Sequence, residues 1–328
     1  MPHLSLLPII PSVAALSRAF LTWGCKSVRV LGTDQFLHIL TDPKRAEEGR
    51  GIVTYANHIS VLDEPIMWGA LPSSYFWDRR TVRWSLGASD IIFKNELYRW
   101  FFRQGQTLEV FRDRGIYQDA INQAIQHIGR GAWIHIFPEG KVNLTRSTYM
   151  RRFKWGISRL ILEAPICPYV VPVWLMGFDQ IMPHPRAPPR WVPRTGADIC
   201  VVFGDPIDVD AYRQTYFEWA SMHHASGLTI QRSSSSSPAL GESVLDTLLA
   251  LRLPRVDIHT PPHHIYTYDT WRSVQLAPED HPAYAMIRSH LAAYLRTNLA
   301  HVGLQTRLTL GYGPGEGLLA HRPNDVHV

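Results

Sequence analysis

The sequence has only three cysteines, Cys25, Cys167 and Cys200, and they are widely scattered. An odd number at irregular spacing gives no disulfide framework and no zinc-binding pairs, so we expect buried free thiols. The chain also lacks a Walker loop and an RNA-binding signature, which argues against a nucleotide- or nucleic-acid-binding function. His321 and His327 near the end of the chain do not make a metal site by themselves. The sequence therefore predicts neither a metal nor a cofactor.

A second absence is an uninterrupted apolar run long enough to span a membrane. Residues 1–17 carry no charged side chain, but two prolines interrupt them and Arg18 ends them, short of the ~20 apolar residues that a spanning helix needs. We therefore expect residues 11–31 to lie in one leaflet's interface, with Trp23 at headgroup depth. A core helix and a mitochondrial targeting segment are the alternatives.

The bulk composition indicates a globular protein that binds an anionic surface. With 328 residues, 45% of them hydrophobic, the chain is long enough to bury a sizeable core. Its net charge of +5 favours phospholipid or nucleic acid as a partner. The 11 tryptophans and 13 tyrosines have side chains suited to a bilayer interface. Residues 79–103 interleave six basic side chains with aromatic ones, which is typical either of a solvated face or of a membrane-facing surface.

Composition and periodicity divide the chain into five segments. From Ser226 the composition changes abruptly, with five serines at 233–237, which is typical of disorder. Residues 279–302 have the apolar stripe of an amphipathic helix. The predicted segments are a membrane-interface anchor (1–35), a catalytic domain (36–225), a serine-rich disordered insertion (226–243), a strand and amphipathic helix packing on the domain (244–310), and a flexible tail (311–328).

Catalytic chemistry is predicted first at residues 57–63. The β-rich run 52–56 ends in Asn-His and leads into Asp-Glu-Pro, a pattern of strand, sharp turn and helix start. Five residues turn an ideal helix through about 500°, so His58 and Asp63 can meet only if the histidine lies in the turn. The carboxylate would then accept the imidazole Nδ1–H and leave Nε2 free to take a proton from a hydroxyl.

The stretch Trp133-Ile134-His135-Ile136-Phe137-Pro138-Glu139-Gly140-Lys141 gives a second signal, because a buried-looking strand again ends at a turn with a carboxylate and a cation. Together, N-H-x4-D and F-P-E-G resemble the signature of the glycerolipid acyltransferase family. The resemblance implies one α/β domain with a mixed central sheet flanked by helices on both faces. A structural carboxylate that caps a following helix is the alternative role for Glu139.

The same resemblance implies roles for further residues. His58 and Asp63 would form the catalytic dyad, and a backbone N–H near His58 is a candidate oxyanion donor. Arg112, at the end of a strand predicted over residues 107–111, would hold the substrate phosphate with its planar fork. Glu139, Gly140 and Lys141 would belong to the acceptor-binding site.

The wording Phe-Pro-Glu-Gly-Lys-Val-Asn at residues 137–143 is similar to that of the family's phospholipid–lysophospholipid transacylases. It implies a coenzyme A-independent enzyme that remodels cardiolipin and monolysocardiolipin on mitochondrial membranes facing the intermembrane space. The alternatives are an acyl-CoA-dependent lysophosphatidate acyltransferase, a lipid hydrolase that uses water as acceptor, and a non-catalytic membrane-surface protein.

Overall fold

The computed structural model describes residues 9–112, 114–145, 148–225, 282–315 and 318. The strands are β1 (Ser27–Leu31), β2 (Ile52–Ala56), β3 (Trp84–Ala88), β4 (Thr107–Val110), β5 (Trp133–Ile136), β6 (Tyr169–Met176) and β7 (Asp198–Phe203). The α-helices are α1 (Ile9–Ala19), α2 (Thr33–Thr41), α3 (Pro43–Glu47), α4 (Asp63–Trp68), α5 (Ser89–Ile92), α6 (Glu96–Gln104), α7 (Asp119–Ile128), α8 (Gly156–Leu162), α9 (Phe178–Ile181), α10 (Asp210–Ala225) and α11 (Pro282–Thr309). A π-helical turn covers Phe20–Gly24 and a 3-10 helix covers Ser73–Trp77.

The seven described strands form one mixed sheet in the order β1-β7-β6-β2-β5-β3-β4. The five strands from β6 to β4 are mutually parallel, whereas β7 runs antiparallel to β6 and β1 is parallel to β7. The carboxyl ends of the five parallel strands therefore lie along one edge, where ligand sites of open α/β sheets are usually found.

Apolar clusters cover both faces of the sheet, as the sequence predicted. On one face, strand residues such as Val53 and Ile134 pack against α7, α8, α10 and α11. On the other, Ile52 and Trp133 pack against α1, α2 and α4. Neighbouring residues of one strand belong to opposite clusters because side chains alternate along a strand, and β2 is buried throughout.

Several predicted elements are confirmed with small changes at their ends. The strand predicted over 107–111 is β4, and the amphipathic helix predicted over 279–302 is α11, which continues to Thr309. Pro172 lies inside β6, directly before the residues that pair with β7. Its carbonyl accepts the N–H of Gly204 at 2.8 Å, and its missing N–H removes only the reciprocal bond at the end of that ladder, a position where proline is tolerated.

The expectation for residues 11–31 needs a correction. The helical part ends at Gly24, and Ser27–Leu31 is a strand of the sheet paired with β7. The strand forms because Val28 and Val30 continue an extended edge next to a long apolar strand. An interfacial segment can therefore include α1 and the π-helical turn but not residues 27–31. No described helix is both long and apolar enough to span a bilayer.

Other expectations fall on residues outside the described ranges. These are residues 1–8 of the predicted anchor, the serine-rich insertion at 226–243, the strand-like piece that follows it, and most of the tail.

Candidate active site

The turn between β2 and α4 brings His58 and Asp63 together. His58 follows the last residues of β2, and Asp63 begins α4. Nδ1 of His58 lies 2.9 Å from Oδ2 of Asp63. No hydrogen-bond partner for Nε2 is found in the described part of the chain, and the side chain of His58 is 19% exposed. The imidazole therefore presents one nitrogen to its carboxylate and the other outward.

Asp63 is a fully buried carboxylate that organises the whole turn. Its side chain is 0% exposed. Besides the imidazole, Oδ2 accepts the backbone N–H groups of Ile59 at 2.7 Å and Ser60 at 2.8 Å. Burial raises the pKa of Asp63, and its bonds to His58 and to the turn oppose this rise. The two backbone donors fix the oxygen to which the imidazole binds.

The backbone and ring of His58 are held from the β5 side. Its N–H donates to Oε1 of Glu139 at 3.0 Å, and its carbonyl accepts the N–H of Asn143 at 2.6 Å. Its ring stacks on Phe137, with centroids 4.1 Å apart and an interplanar angle of 21°. These contacts leave the imidazole little freedom to rotate.

Glu139 is a buried carboxylate that joins two loops. It is 2% exposed, and its second oxygen, Oε2, accepts the backbone N–H of Arg151 at 2.9 Å. Burial raises its pKa. The donors come from the His58 turn and from the segment before α8, so Glu139 does not cap a helix. Gly140 has a φ of +69°, which favours glycine, and Lys141 is exposed.

Arg112 lies at the same edge of the sheet as the dyad but is not brought into contact with it. It follows β4, which is separated from β2 by β3 and β5. Three strand spacings correspond to about 14 Å. Its guanidinium is 3.3 Å from a carboxylate oxygen of Asp90.

The predicted oxyanion donors near His58 are already used. The N–H groups of His58, Ile59 and Ser60 all donate to Glu139 or Asp63, because the tight turn needs both carboxylates to satisfy its backbone. That expectation is therefore wrong for these three groups.

Asn57 is a positioning residue that the sequence reasoning left without a role. Its side-chain amide donates to the carbonyl of Leu175 at 2.9 Å and accepts the Leu175 N–H at 2.8 Å. This pair of bonds fixes the end of β2 against β6. The one sequence feature that could have indicated this role is the position of Asn57 directly before His58. Asn57 and Glu139 also line a cleft of about 220 Å³, which His58 does not line.

Comparison with known proteins identifies the family. The acyltransferase family model matches residues 38–176, a range that includes β2 to β6 and both motifs. The chain is also 35% identical to the N-acylphosphatidylethanolamine synthase of Arabidopsis thaliana, over 63% of this chain and 73% of that protein. The chain therefore belongs to the acyltransferase family.

Within this family the sequence is similar to tafazzins. It is 35% identical to the tafazzin of Drosophila melanogaster over 62% of this chain and 39% identical to that of Dictyostelium discoideum over 52%. The chain spans 52% and 59% of the length of these two relatives. The wording of residues 137–143 had predicted this branch, and these similarities confirm it.

Proposed function

We propose that the protein is an O-acyltransferase that transfers an acyl chain from one phospholipid to the hydroxyl of a lysophospholipid, without coenzyme A. The observation that carries the proposal is the His58–Asp63 dyad. Because Asp63 accepts the Nδ1–H, the lone pair of His58 lies on Nε2, the outward nitrogen. An imidazole held in this tautomer is a general base for a hydroxyl.

The reaction follows from that geometry. Nε2 takes the proton of the acceptor hydroxyl, and the oxygen attacks the ester carbonyl of the donor phospholipid. The resulting imidazolium is stabilised by the buried carboxylate of Asp63. The tetrahedral intermediate then collapses, the bond to the donor glycerol oxygen breaks, and His58 returns its proton to that oxygen. General acid–base help of this kind contributes about 10²–10⁴-fold.

Four further residues have proposed binding roles of different kinds. Arg112 would hold a phosphate at a distance from the dyad, so a bound headgroup would extend along the sheet edge from Arg112 to His58. Its phosphate would compete with Asp90 for the Arg112 guanidinium. Lys141 is exposed beside the dyad turn and would add positive charge there. Glu139 and Gly140 would shape the acceptor site mainly by fixing the loop.

The similarity to tafazzins supports phospholipids and lysophospholipids as substrates. By the same similarity we propose cardiolipin and monolysocardiolipin as members of the pool, and mitochondrial membranes facing the intermembrane space as the location. A close relative of different name supports a second candidate, N-acylation of phosphatidylethanolamine. In that case the acceptor atom would be an amine instead of a hydroxyl.

Three neighbouring elements form a surface that we propose binds one leaflet of a membrane. Helix α1 contacts both the 3-10 helix and α6. Large apolar side chains on these elements are exposed, and we call them the apolar face: Leu16, Trp77, Leu97, Tyr98, Trp100 and Phe101. The basic side chains Arg99 and Arg103 also lie on α6. Apolar and aromatic side chains beside cations suit an anionic lipid interface.

Vesicle binding tests this surface. Trp77 is 71% exposed on the apolar face, and Trp191 is 80% exposed in the loop between β6 and β7, which makes a matched control. We expect Trp77→Ser to weaken co-sedimentation with cardiolipin-containing vesicles and Trp191→Ser to leave it unchanged. Equal loss in both variants would mean that the apolar face is not the specific contact.

Transfer of label tests the activity. Purified protein is given phosphatidylcholine with a labelled acyl chain and monolysocardiolipin, with no coenzyme A. We expect labelled cardiolipin from the parent protein and at least a hundredfold slower formation with His58→Ala. Transfer by His58→Ala within tenfold of the parent would rule out the dyad as the site. Labelled cardiolipin formed from labelled acyl-CoA but not from labelled phosphatidylcholine would contradict the transacylase proposal. Labelled N-acylphosphatidylethanolamine, formed when phosphatidylethanolamine is the acceptor, would favour the second candidate.

A further inference from the structure

A second group of buried and half-buried polar side chains lies beside the dyad, and the proposed mechanism does not use it. His135, on β5, is 0% exposed, and its Nε2 lies 3.8 Å from Oε2 of Glu64. Glu64 directly follows Asp63 in α4. It accepts hydrogen bonds from Nε of Arg83 at 2.9 Å and from the Trp68 indole at 3.2 Å. These contacts join β5, α4 and the start of β3.

The two ring nitrogens of His135 face different groups, Thr54 at Nδ1 and Glu64 at Nε2. The hydroxyl of Thr54 accepts the Trp133 indole N–H at 2.8 Å and lies 2.8 Å from Nδ1 of His135. The Thr54 proton can go to Nδ1 or to the carbonyl of Ile134, 3.4 Å away, so these contacts allow either tautomer of His135. Burial lowers the pKa of His135 to about 4, so the ring is neutral at pH 7. The charged members are then Glu64 and Arg83, one of each sign.

Two routes connect this group with the catalytic imidazole. The ring of His135 meets Phe137 edge-on, with centroids 4.7 Å apart and an angle of 85°, and Phe137 also stacks on His58. The second route is α4, because two consecutive residues of this helix bind different partners. Asp63 binds the imidazole of His58, and Glu64 binds Arg83. A shift of the Glu64–Arg83 pair would therefore move the dyad carboxylate.

We propose that Glu64, Arg83 and His135 form a positioning network for the dyad, and that the balance of charge between Glu64 and Arg83 sets the basicity of His58. The inference rests on the proposed function, since it assigns His58 as the general base. Three groups face the imidazole directly: the Asp63 carboxylate from α4, the Phe137 ring, and Glu139 through the backbone. The neutral His135 and the Glu64–Arg83 pair lie behind them.

The Glu64–Arg83 pair is only partly exposed, with side chains 26% and 12% accessible, so removing one member leaves the other charge poorly compensated. Glu64→Gln leaves the positive charge of Arg83, which disfavours a protonated His58. Arg83→Gln leaves the negative charge of Glu64, which favours a protonated His58. The double variant Glu64→Gln/Arg83→Gln restores the balance. A merely structural pair would not give shifts of opposite sign.

The test measures the pH dependence of kcat/KM for acyl transfer in the full-length chain, over the limb that reports the essential base. We expect the midpoint to move down by about half a pH unit or more in Glu64→Gln and up by a similar amount in Arg83→Gln. We expect the double variant and the charge-preserving Arg83→Lys to return near the parent value. KM should change less than kcat, because none of the three residues has a proposed role in binding the substrate.

A second readout does not depend on turnover. The histidines are labelled at a ring carbon, and the resonance that disappears in His58→Gln is assigned to His58. Nuclear magnetic resonance then follows the titration of His58. The same opposite shifts support the network. Shifts in one direction, or none in folded variants, overturn it. If the parent protein transfers no acyl chain while the resonance shifts as expected, the proposed function fails and the electrostatic coupling stands.

Discussion

Asp63→Asn removes one charge from the dyad while changing almost no volume. The two backbone donors of Ile59 and Ser60 point at Oδ2 of Asp63. An asparagine must place its carbonyl oxygen there, because an NH2 group would face two N–H groups. The oxygen can still accept the Nδ1–H of His58, so we expect the tautomer of the imidazole to survive the substitution.

The size of the catalytic loss follows from the lost charge. A hydrogen bond to a charged acceptor contributes about 1 to 1.5 kcal/mol more than one to a neutral acceptor, which sets a lower limit of about tenfold. The bare attraction between unit charges 2.9 Å apart is about 6 kcal/mol at an effective dielectric constant of 20, which is an upper limit. We expect kcat to fall roughly 10²- to 10³-fold, with KM within a factor of about three, because Asp63 does not face the substrate.

The stability of this variant should change little, in contrast to its activity. Burial raises the pKa of Asp63, so folding disfavours its ionised form, and stability falls as the pH rises through the folded pKa. Asparagine has no such cost. Against this, its NH2 group would replace Oδ1, which has no partner within the described residues, at a cost of about 1–3 kcal/mol. The two effects nearly cancel at pH 7, and we expect Tm within about 5 °C of the parent.

Steady-state transfer from labelled phosphatidylcholine to a lysophospholipid gives kcat and KM, and a thermal melt gives Tm. A fall in kcat of less than tenfold in a folded variant would show that Asp63 does not stabilise the imidazolium. A fall in Tm of more than about 10 °C, with activity lost in proportion, would show that the carboxylate acts on the fold instead.

Three further substitutions test other parts of the site. Glu139→Gln leaves the N–H of His58 or of Arg151 without an acceptor, so we expect a loss of about 1–3 kcal/mol in a denaturant melt and a lower kcat; a rise in KM alone would instead indicate substrate binding. Arg112→Gln should raise KM about tenfold with kcat retained, whereas Asp90→Asn, which frees the guanidinium, should lower KM; unchanged KM in both would exclude the phosphate role. The lowered pKa of His135 means that the unfolded chain binds more protons than the folded chain between about pH 6.5 and pH 4. As the pH falls from about 6.5 to about 4, up to about 3 kcal/mol of folding stability should therefore be lost. This loss should be smaller in His135→Gln, as measured by melts at several pH values.

Sequence patterns predicted the strands and helices whose burial is uniform or strongly periodic. β2, β5 and β6 were predicted because each is a short apolar run between turn signals. β1 and β3 were not, because the polar Ser27 and charged Arg29 in Ser27–Leu31 and the mixed composition of Trp84–Ala88 resemble exposed segments. Their strand form depends on pairing with distant strands, and nothing in a local window carries that information.

The site shows the same division between local and distant information. The dyad could be predicted because His58 and Asp63 are five residues apart and a single turn brings them together. The roles of Phe137 and Glu139 toward His58 could not, since they depend on β5 lying next to β2 in the sheet. The order of strands in the sheet also decides how far Arg112 lies from the dyad. The order of the motifs along the chain does not predict this distance.

The position of the apolar face gives the proposed reaction its physical setting. α4, which begins with Asp63, contacts α1, and α1 in turn contacts the 3-10 helix and α6. The helix that holds the catalytic carboxylate is thus one layer away from the side chains proposed to enter the leaflet. A lysophospholipid in that leaflet keeps its acyl chain in the hydrocarbon, and only its headgroup and glycerol need to reach the edge of the sheet. In the proposed reaction the donor and the acceptor are both lipids of the same surface, so one dyad beside that surface can serve them in turn. Such a reaction requires no soluble carrier of the acyl chain.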